Sequence, residues 1–169
     1  KMTNLTETKY LLKDLVGFPS ISGKPNKDII DYISKYLAKF NVKTSIDAHH
    51  DGKRFNLLAT FGPEKDGGVV LSSHLDVVPA NPELWLSDPF ILREKEHRLI
   101  GRGALDMKGF LACTLAMTEK YKAIEEKLNK PIHFALTFDE EVGSFGAAQF
   151  GKFFDRLGFL PKIAIIGEP

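Results

Sequence analysis

"GGVVLSSHLD", residues 67–76, decides how this chain folds. Glycines precede the apolar run Val69–Val70–Leu71, and His74 and Asp76 close it. A short, unbroken, β-branched run of this kind reads as a strand buried on both faces, the signature of the middle of a parallel sheet. Ionisable side chains then stand where the buried strand ends.

The same pattern recurs twice downstream. "PIHFALTF" (131–138) runs into Asp139, Glu140 and Glu141, and "KIAIIG" (162–167) runs into Glu168. Upstream, "VKTSIDA" (42–48) alternates as a strand and "NLLATFG" (56–62) follows it, while "FILREKEHRLIGRG" (90–103) reads as a hairpin. Helical spacing joins Leu11, Leu12, Leu15 and Val16, with "GFPS" ending that helix. Ile29, Ile30, Ile33, Leu37 and Phe40 make a second helix from Lys27 to Phe40. Met107 to Lys122 and "AAQFGKFFDRLG" (147–158) complete the set. Alternating strands and helices predict an α/β fold with three layers, helix on sheet on helix, around a mostly parallel mixed sheet.

Composition narrows the function classes. The 169 residues are 43% hydrophobic and 27% charged, ordinary for a globular domain with one sizeable core. Lys+Arg 23 against Asp+Glu 22 leaves a net charge of +1, and no basic cluster favours nucleic acid or a membrane surface. No apolar run approaches the roughly 20 residues of a membrane span, and no signal peptide is visible. The single Cys113 excludes an internal disulfide framework and fits a cytoplasmic setting; its apolar helical neighbours give it a packing role.

In an open α/β sheet the carboxyl ends of parallel strands share one edge, where ligands bind. His74 and Asp76, Asp139 to Glu141, and Glu168 are expected to meet there, and Asp106 joins from "GRGAL", whose Gly101 and Gly103 permit a tight turn, so that His74, Asp106, Glu140 or Glu141, and Glu168 form one cluster. Several carboxylates around one imidazole repel each other unless a cation intervenes. Mixed nitrogen and oxygen donors suit Zn²⁺, Co²⁺ or Mn²⁺ better than the all-oxygen shells of Ca²⁺ or Mg²⁺. Asp106 has two oxygens and could bridge two ions about 3.5–4 Å apart. Asp76, two residues along extended chain, points the same way as His74 and could hold its ring. Adjacent Glu140 and Glu141 face different directions, so one can ligate while the other takes a proton from an attacking water.

Each signal has a plainer reading. A lone His-x-Asp is usually structural, three consecutive acids usually make a solvated turn, and Asp139 braces that turn. His49, His50, His97 and His133 sit in no ligand pattern and read as surface or packing residues. "GRGALDMKG" lacks the spacing of a phosphate-binding loop. The weight comes from joint occurrence at strand ends.

Taken in order, "SSHLDVVPA" (72–80), "WLSDPF" (85–90), "GRGALDMKGFLA" (101–112), "TFDEEVGSFGA" (137–147) and "IGEP" (166–169) resemble the dinuclear-zinc M20 metallopeptidase family. "DMKGF" and "DEEVG" look most like its acetylornithine deacetylase branch, with succinyl-diaminopimelate desuccinylase next and other aminoacylases and carboxypeptidases further off. The resemblance implies a zinc-exopeptidase-like catalytic domain holding two Zn²⁺, or Co²⁺, per full-length subunit. His74 and Glu168 would bind one ion, Asp106 would bridge, Glu141 would bind the second, Glu140 would act as general base, and Asp76 would orient His74. It implies hydrolysis of a small N-acylated amino acid, N-acetyl-L-ornithine, in arginine biosynthesis, and a cis peptide after Asp106.

The resemblance also implies absences. Residues 1–169 correspond to the N-terminal part of the catalytic domain; a lid and dimerisation domain, through which the full-length enzyme forms a homodimer, and a returning segment with a histidine for the second ion are missing. The fragment by itself is then expected to be inactive, with a weak second site and an exposed apolar sheet edge or face. The competing reading is a degenerate binding module that keeps the fold without the chemistry.

Overall fold

A computed structural model describes residues 4–169. Helix α1 (Asn4–Val16) forms because Leu11, Leu12, Leu15 and Val16 share one face and are buried. Helix α2 (Lys27–Ala38) buries Ile29, Ile30, Ile33 and Leu37 in the same manner and stops short of Phe40. Strands β1 (Lys43–Ala48) and β2 (Phe55–Phe61) follow as an antiparallel pair, then β3 (Val69–His74). The predicted hairpin is a separate ribbon of β4 (Arg93–Lys95) and β5 (Arg98–Ile100). Helices α3 (Lys108–Ala116) and α4 (Thr118–Ile124), strand β6 (Ile132–Thr137), helix α5 (Phe145–Leu157) and strand β7 (Ile163–Ile166) complete the order.

The main sheet runs β1-β2-β6-β3-β7. β3 is parallel to both β6 and β7, while β2 is antiparallel to β1 and β6. Every strand but β2 therefore points the same way, and the sheet is mixed but mostly parallel. Alternating side chains divide between two layers of helix. Leu57, Ala59 and Phe61 of β2 with Phe134 and Leu136 of β6 pack in the larger cluster against α1, α2 and α3. Leu58, Val70 and Ala135 face the other side and meet Phe150 and Phe154 of α5. Each fully buried Leu or Phe contributes about 1.5–3 kcal/mol, so the face under α1 to α3 supplies most of the stability.

Three expectations need correction. The helix from Met107 to Lys122 is two helices, because the Met117 amide bonds to the Thr114 carbonyl at 3.2 Å and tightens the turn before α4. Cys113 is exposed rather than packed: Leu111, Ala112 and Leu115 occupy the inner face of α3, and position 113 lies opposite them. Strand β3 is one in from the edge rather than central. The edge strand β7 exposes Ile163 (57%), Ile165 (47%) and Ile166 (61%), the apolar edge that was expected.

Candidate metal centre

Strand register assembles the site. His74 ends β3 level with Thr137 of β6, and Ser72 is level with Ile166 of β7. Two residues beyond Ile166, Glu168 comes level with His74, and two beyond Thr137 the Asp139–Glu141 turn begins. Carboxyl ends of parallel strands thus deliver Asp76, Glu140, Glu141 and Glu168 to one edge.

Asp106 comes from the loop before α3. Gly103 has φ +79°, and a Cβ there would lie 2.6 Å from Val77 Cγ1, so glycine alone suits the position. The Lys108 amide bonds to the Gly103 carbonyl at 2.8 Å. The Asp106–Met107 peptide is cis, as the resemblance implies. Met107 is buried, and its sulfur accepts from the His74 amide at 3.2 Å. Lys108, fully buried, donates to the carbonyls of Leu15 (3.0 Å) and Phe18 (2.7 Å), tying the loop to the end of α1.

His74, Asp106 and Glu168 each offer a ligand atom, all within 4.8 Å of one another. His74 Nε2 is 3.0 Å from Asp106 Oδ1, 3.6 Å from Glu168 Oε1 and 3.9 Å from Glu140 Oε2. Glu140 therefore stands at the rim of the group. The Glu141 carboxylate lies outside the set of converging ligand atoms found among the described residues. Asp76 contacts the His74 ring chiefly through its main chain: Nδ1 is 2.9 Å from the Asp76 carbonyl and 3.5 Å from Oδ1. With Nδ1–H donated to that carbonyl, Nε2 is left to face the carboxylates. The Asp76 carboxylate does a second job, accepting from the amides of Glu140 (3.0 Å) and Glu141 (3.2 Å) and from the Ser22 hydroxyl (2.6 Å).

Asp139 braces the turn, as expected. It is buried at φ +53°, accepts from the Gly23 amide at 2.7 Å and pairs with Arg54, whose guanidinium also lies over Phe138. Gly146 lets α5 tuck under this turn, since a Cβ there would lie 2.3 Å from the Phe138 carbonyl oxygen. Ser22, Gly23, Arg54, Met107 and Lys108 escaped the sequence reading. The local signal nearest to Ser22 and Gly23 is "GFPS" (17–20), which reads only as the end of a helix.

Electrostatics favour a divalent cation. Burial works against a charged His74 ring, but Asp76, Asp106 and Glu168 outweigh it and raise its pKa to about 9. Burial also pushes the carboxyls of Glu141 and Glu168 upward, helped by the negative charge of Asp106 and Glu140. Burial would raise Asp76 too, yet hydrogen bonds from His74, Ser22 and the Glu140 amide hold it below the usual range. Crowded carboxylates around one imidazole nitrogen are a donor set that a zinc-like ion fits and that is otherwise self-repelling.

The family profile of peptidase family M20/M25/M40 matches residues 70–169. The chain belongs to this family. All the candidate site residues lie within the matched M20 span. Over 166 residues the chain is 36% identical to acetylornithine deacetylase of Buchnera aphidicola subsp. Schizaphis graminum (strain Sg), covering 94% of this chain and 42% of that relative. The M20 chain thus spans well under half the length of the curated relative. Its fold is similar to human carnosine dipeptidase 1, with TM-score 0.76, 25% identity, and coverage of 97% of this chain and 38% of the other. It is similar in the same way to the M20 family metallo-carboxypeptidase Sso-CP2 from Sulfolobus solfataricus, with TM-score 0.75, 25% identity and coverage of 95% and 37%. The α/β fold read from the sequence is that of M20 catalytic domains.

Proposed function

We propose that this M20 chain is the N-terminal part of the catalytic domain of a metal-dependent amide hydrolase that converts N-acetyl-L-ornithine and water to L-ornithine and acetate. The observation that carries the proposal is the convergence of His74, Asp106 and Glu168 within 4.8 Å, with Glu140 Oε2 3.9 Å from the His74 ring. The branch is supported by relatives named acetylornithine deacetylase at 36% identity. A role in arginine biosynthesis in the cytoplasm, and a homodimeric whole protein, belong to the same proposal.

His74, Asp106 and Glu168 would hold one Zn²⁺ or Co²⁺, and Glu141 together with Asp106 would hold a second. Such ions supply Lewis acidity, polarising the amide carbonyl and acidifying a water. Glu140 accepts the water's proton at Oε2 as it attacks the carbonyl carbon, then returns it to the departing nitrogen. Its partly exposed carboxylate and fixed amide suit that duty, since the side chain can swing while Asp76 anchors the backbone. Asp76 keeps the His74 ring oriented with Nε2 forward.

The test is acetate release from N-acetyl-L-ornithine by the intact protein with added Zn²⁺ or Co²⁺. Glu140→Gln is expected to lower kcat by about 10²–10⁴-fold. Preference for N-succinyl-diaminopimelate would move the assignment to that branch. Equal rates for wild type and Glu140→Gln would sink the hydrolase mechanism, as the binding-module reading requires.

A further inference from the structure

Residues 19–23, "PSISG", lie far in sequence from every candidate ligand yet touch the site at each level. The Ser20 hydroxyl donates to the Leu75 carbonyl at 2.6 Å, and the Ser20 carbonyl accepts from the Val77 amide at 3.0 Å. The Ser22 amide donates to the Val77 carbonyl at 3.1 Å, so residues 20–22 run beside 75–77 like a short added strand. From this track the Ser22 hydroxyl reaches Asp76 Oδ2 at 2.6 Å, and the Gly23 amide reaches Asp139 Oδ1 at 2.7 Å. One segment therefore grips both acids that carry the site: Asp76 below the imidazole and Asp139 at the head of the Glu140–Glu141 turn.

The Ser22 hydroxyl has one proton and two acceptors in reach, Asp76 Oδ2 at 2.6 Å and the Val77 carbonyl at 3.3 Å. The shorter contact goes to the charged oxygen, where a hydrogen bond is roughly twice as strong. Oδ2 also accepts from the Glu141 amide, while Oδ1 takes the Glu140 amide and faces His74. Fixing Oδ2 therefore fixes the rotation of the carboxylate, and with it the backbone from which Glu140 and Glu141 project and the 3.5 Å approach of Oδ1 to the His74 ring, which adds to the main-chain contact already made by the Asp76 carbonyl.

We propose that Ser22 is a positioning residue of the metal centre, acting through Asp76 to set the direction of His74 and of the Glu140–Glu141 turn. The proposal rests on the reading of His74 as a metal ligand. A hydroxyl that merely filled space would be replaceable by a methyl group; a hydroxyl that orients a carboxylate would not. Thr and Val differ by that exchange alone, so Ser22→Thr and Ser22→Val form the decisive pair, with Ser22→Ala as a smaller companion.

The experiment is titration of the intact metal-free protein with Co²⁺, following the visible d–d absorption, for wild type, the three Ser22 variants and His74→Ala. Thermal melts run alongside. Ser22→Thr should keep the wild-type affinity and band shape. Ser22→Val and Ser22→Ala should bind Co²⁺ on the order of 10-fold more weakly with an altered band, the low end of losses seen when a group supporting a metal ligand is removed. Wild-type affinity and spectrum in Ser22→Val, while His74→Ala loses binding, would overturn the positioning role. Unchanged binding in His74→Ala would overturn the metal reading beneath it. If Ser22→Val melts as Ser22→Thr does, the loss cannot be assigned to folding; if only Ser22→Val is destabilised and its folded fraction binds Co²⁺ normally, the hydroxyl is structural and the proposal fails.

Discussion

The Asp76 carboxylate and the Glu140 amide are joined by a 3.0 Å hydrogen bond that links the end of one sheet strand to the turn after another. The same carboxylate lies 3.5 Å from the His74 ring. A single side chain thus couples the ring that would hold an ion to the backbone of the residue that would act as base. Asp76→Asn presents an NH₂ to neighbours that are themselves donors, the Ser22 hydroxyl and two amides. In the intact protein the expected outcome is a fall of about 10–100-fold in metal affinity or kcat. Metal titration and steady-state kinetics check it; wild-type values in Asp76→Asn would show that the carbonyl contact to His74 is sufficient.

His133 makes stability sensitive to acid. It is fully buried, bonds to Thr60 through Nδ1 at 3.0 Å, stacks on Phe159 and leaves Nε2 without a partner among the described residues. Burial lowers its pKa from 6.5 to about 4, and the opposing pull of Glu64 is too weak to restore it. As pH falls through 6.5 the unfolded chain takes up a proton that the folded chain refuses until about pH 4, so stability drops across that window. Between pH 7 and pH 5 the loss should be about 2 kcal/mol. Urea unfolding at the two pH values measures it, and His133→Leu should flatten this part of the slope.

Arg54 and Asp139 form a pair whose members are unequally buried, Asp139 almost completely. Arg54→Leu leaves a buried carboxylate whose remaining hydrogen bond among the described residues comes from the Gly23 amide, at an expected cost of about 3–5 kcal/mol. Replacing both, Arg54→Leu with Asp139→Asn, should cost less than Arg54→Leu alone. Chemical denaturation of the three proteins decides it, and equal costs would mean the charge is not what matters.

Gly103 is the position where one methyl group should disturb the Asp106 loop. Alanine would have to adopt φ +79° and place its Cβ 2.6 Å from Val77. The expected destabilisation is about 1–3 kcal/mol, read from the urea midpoint.

Strand β7 presents Ile163 and Ile165 on one side and Ile166 on the other, all exposed at the sheet edge. Such an edge templates pairing with another chain. Residues 1–169 alone should self-associate with increasing concentration, and Ile165→Lys should suppress it. Sedimentation analysis checks this.

Much of this was written locally. Apolar runs broken by glycine marked the strands, helical spacing marked α1, α2 and α5, and acids stationed after buried strands pointed to a shared edge, because parallel strands must end together. The break at Met117 and the exposure of Cys113 were not legible, since α3 is apolar on most sides and its periodicity does not show which side meets the sheet. The sequence by itself determined the fold class and the residue types of the candidate centre. Tertiary structure alone decided that His74, Asp106 and Glu168 converge while Glu141 stands aside, and that Ser22, Gly23, Arg54 and Lys108 tie down the chain around them. Those four act through hydrogen bonds to groups tens of residues away, and no local pattern records a contact that only the packed chain creates.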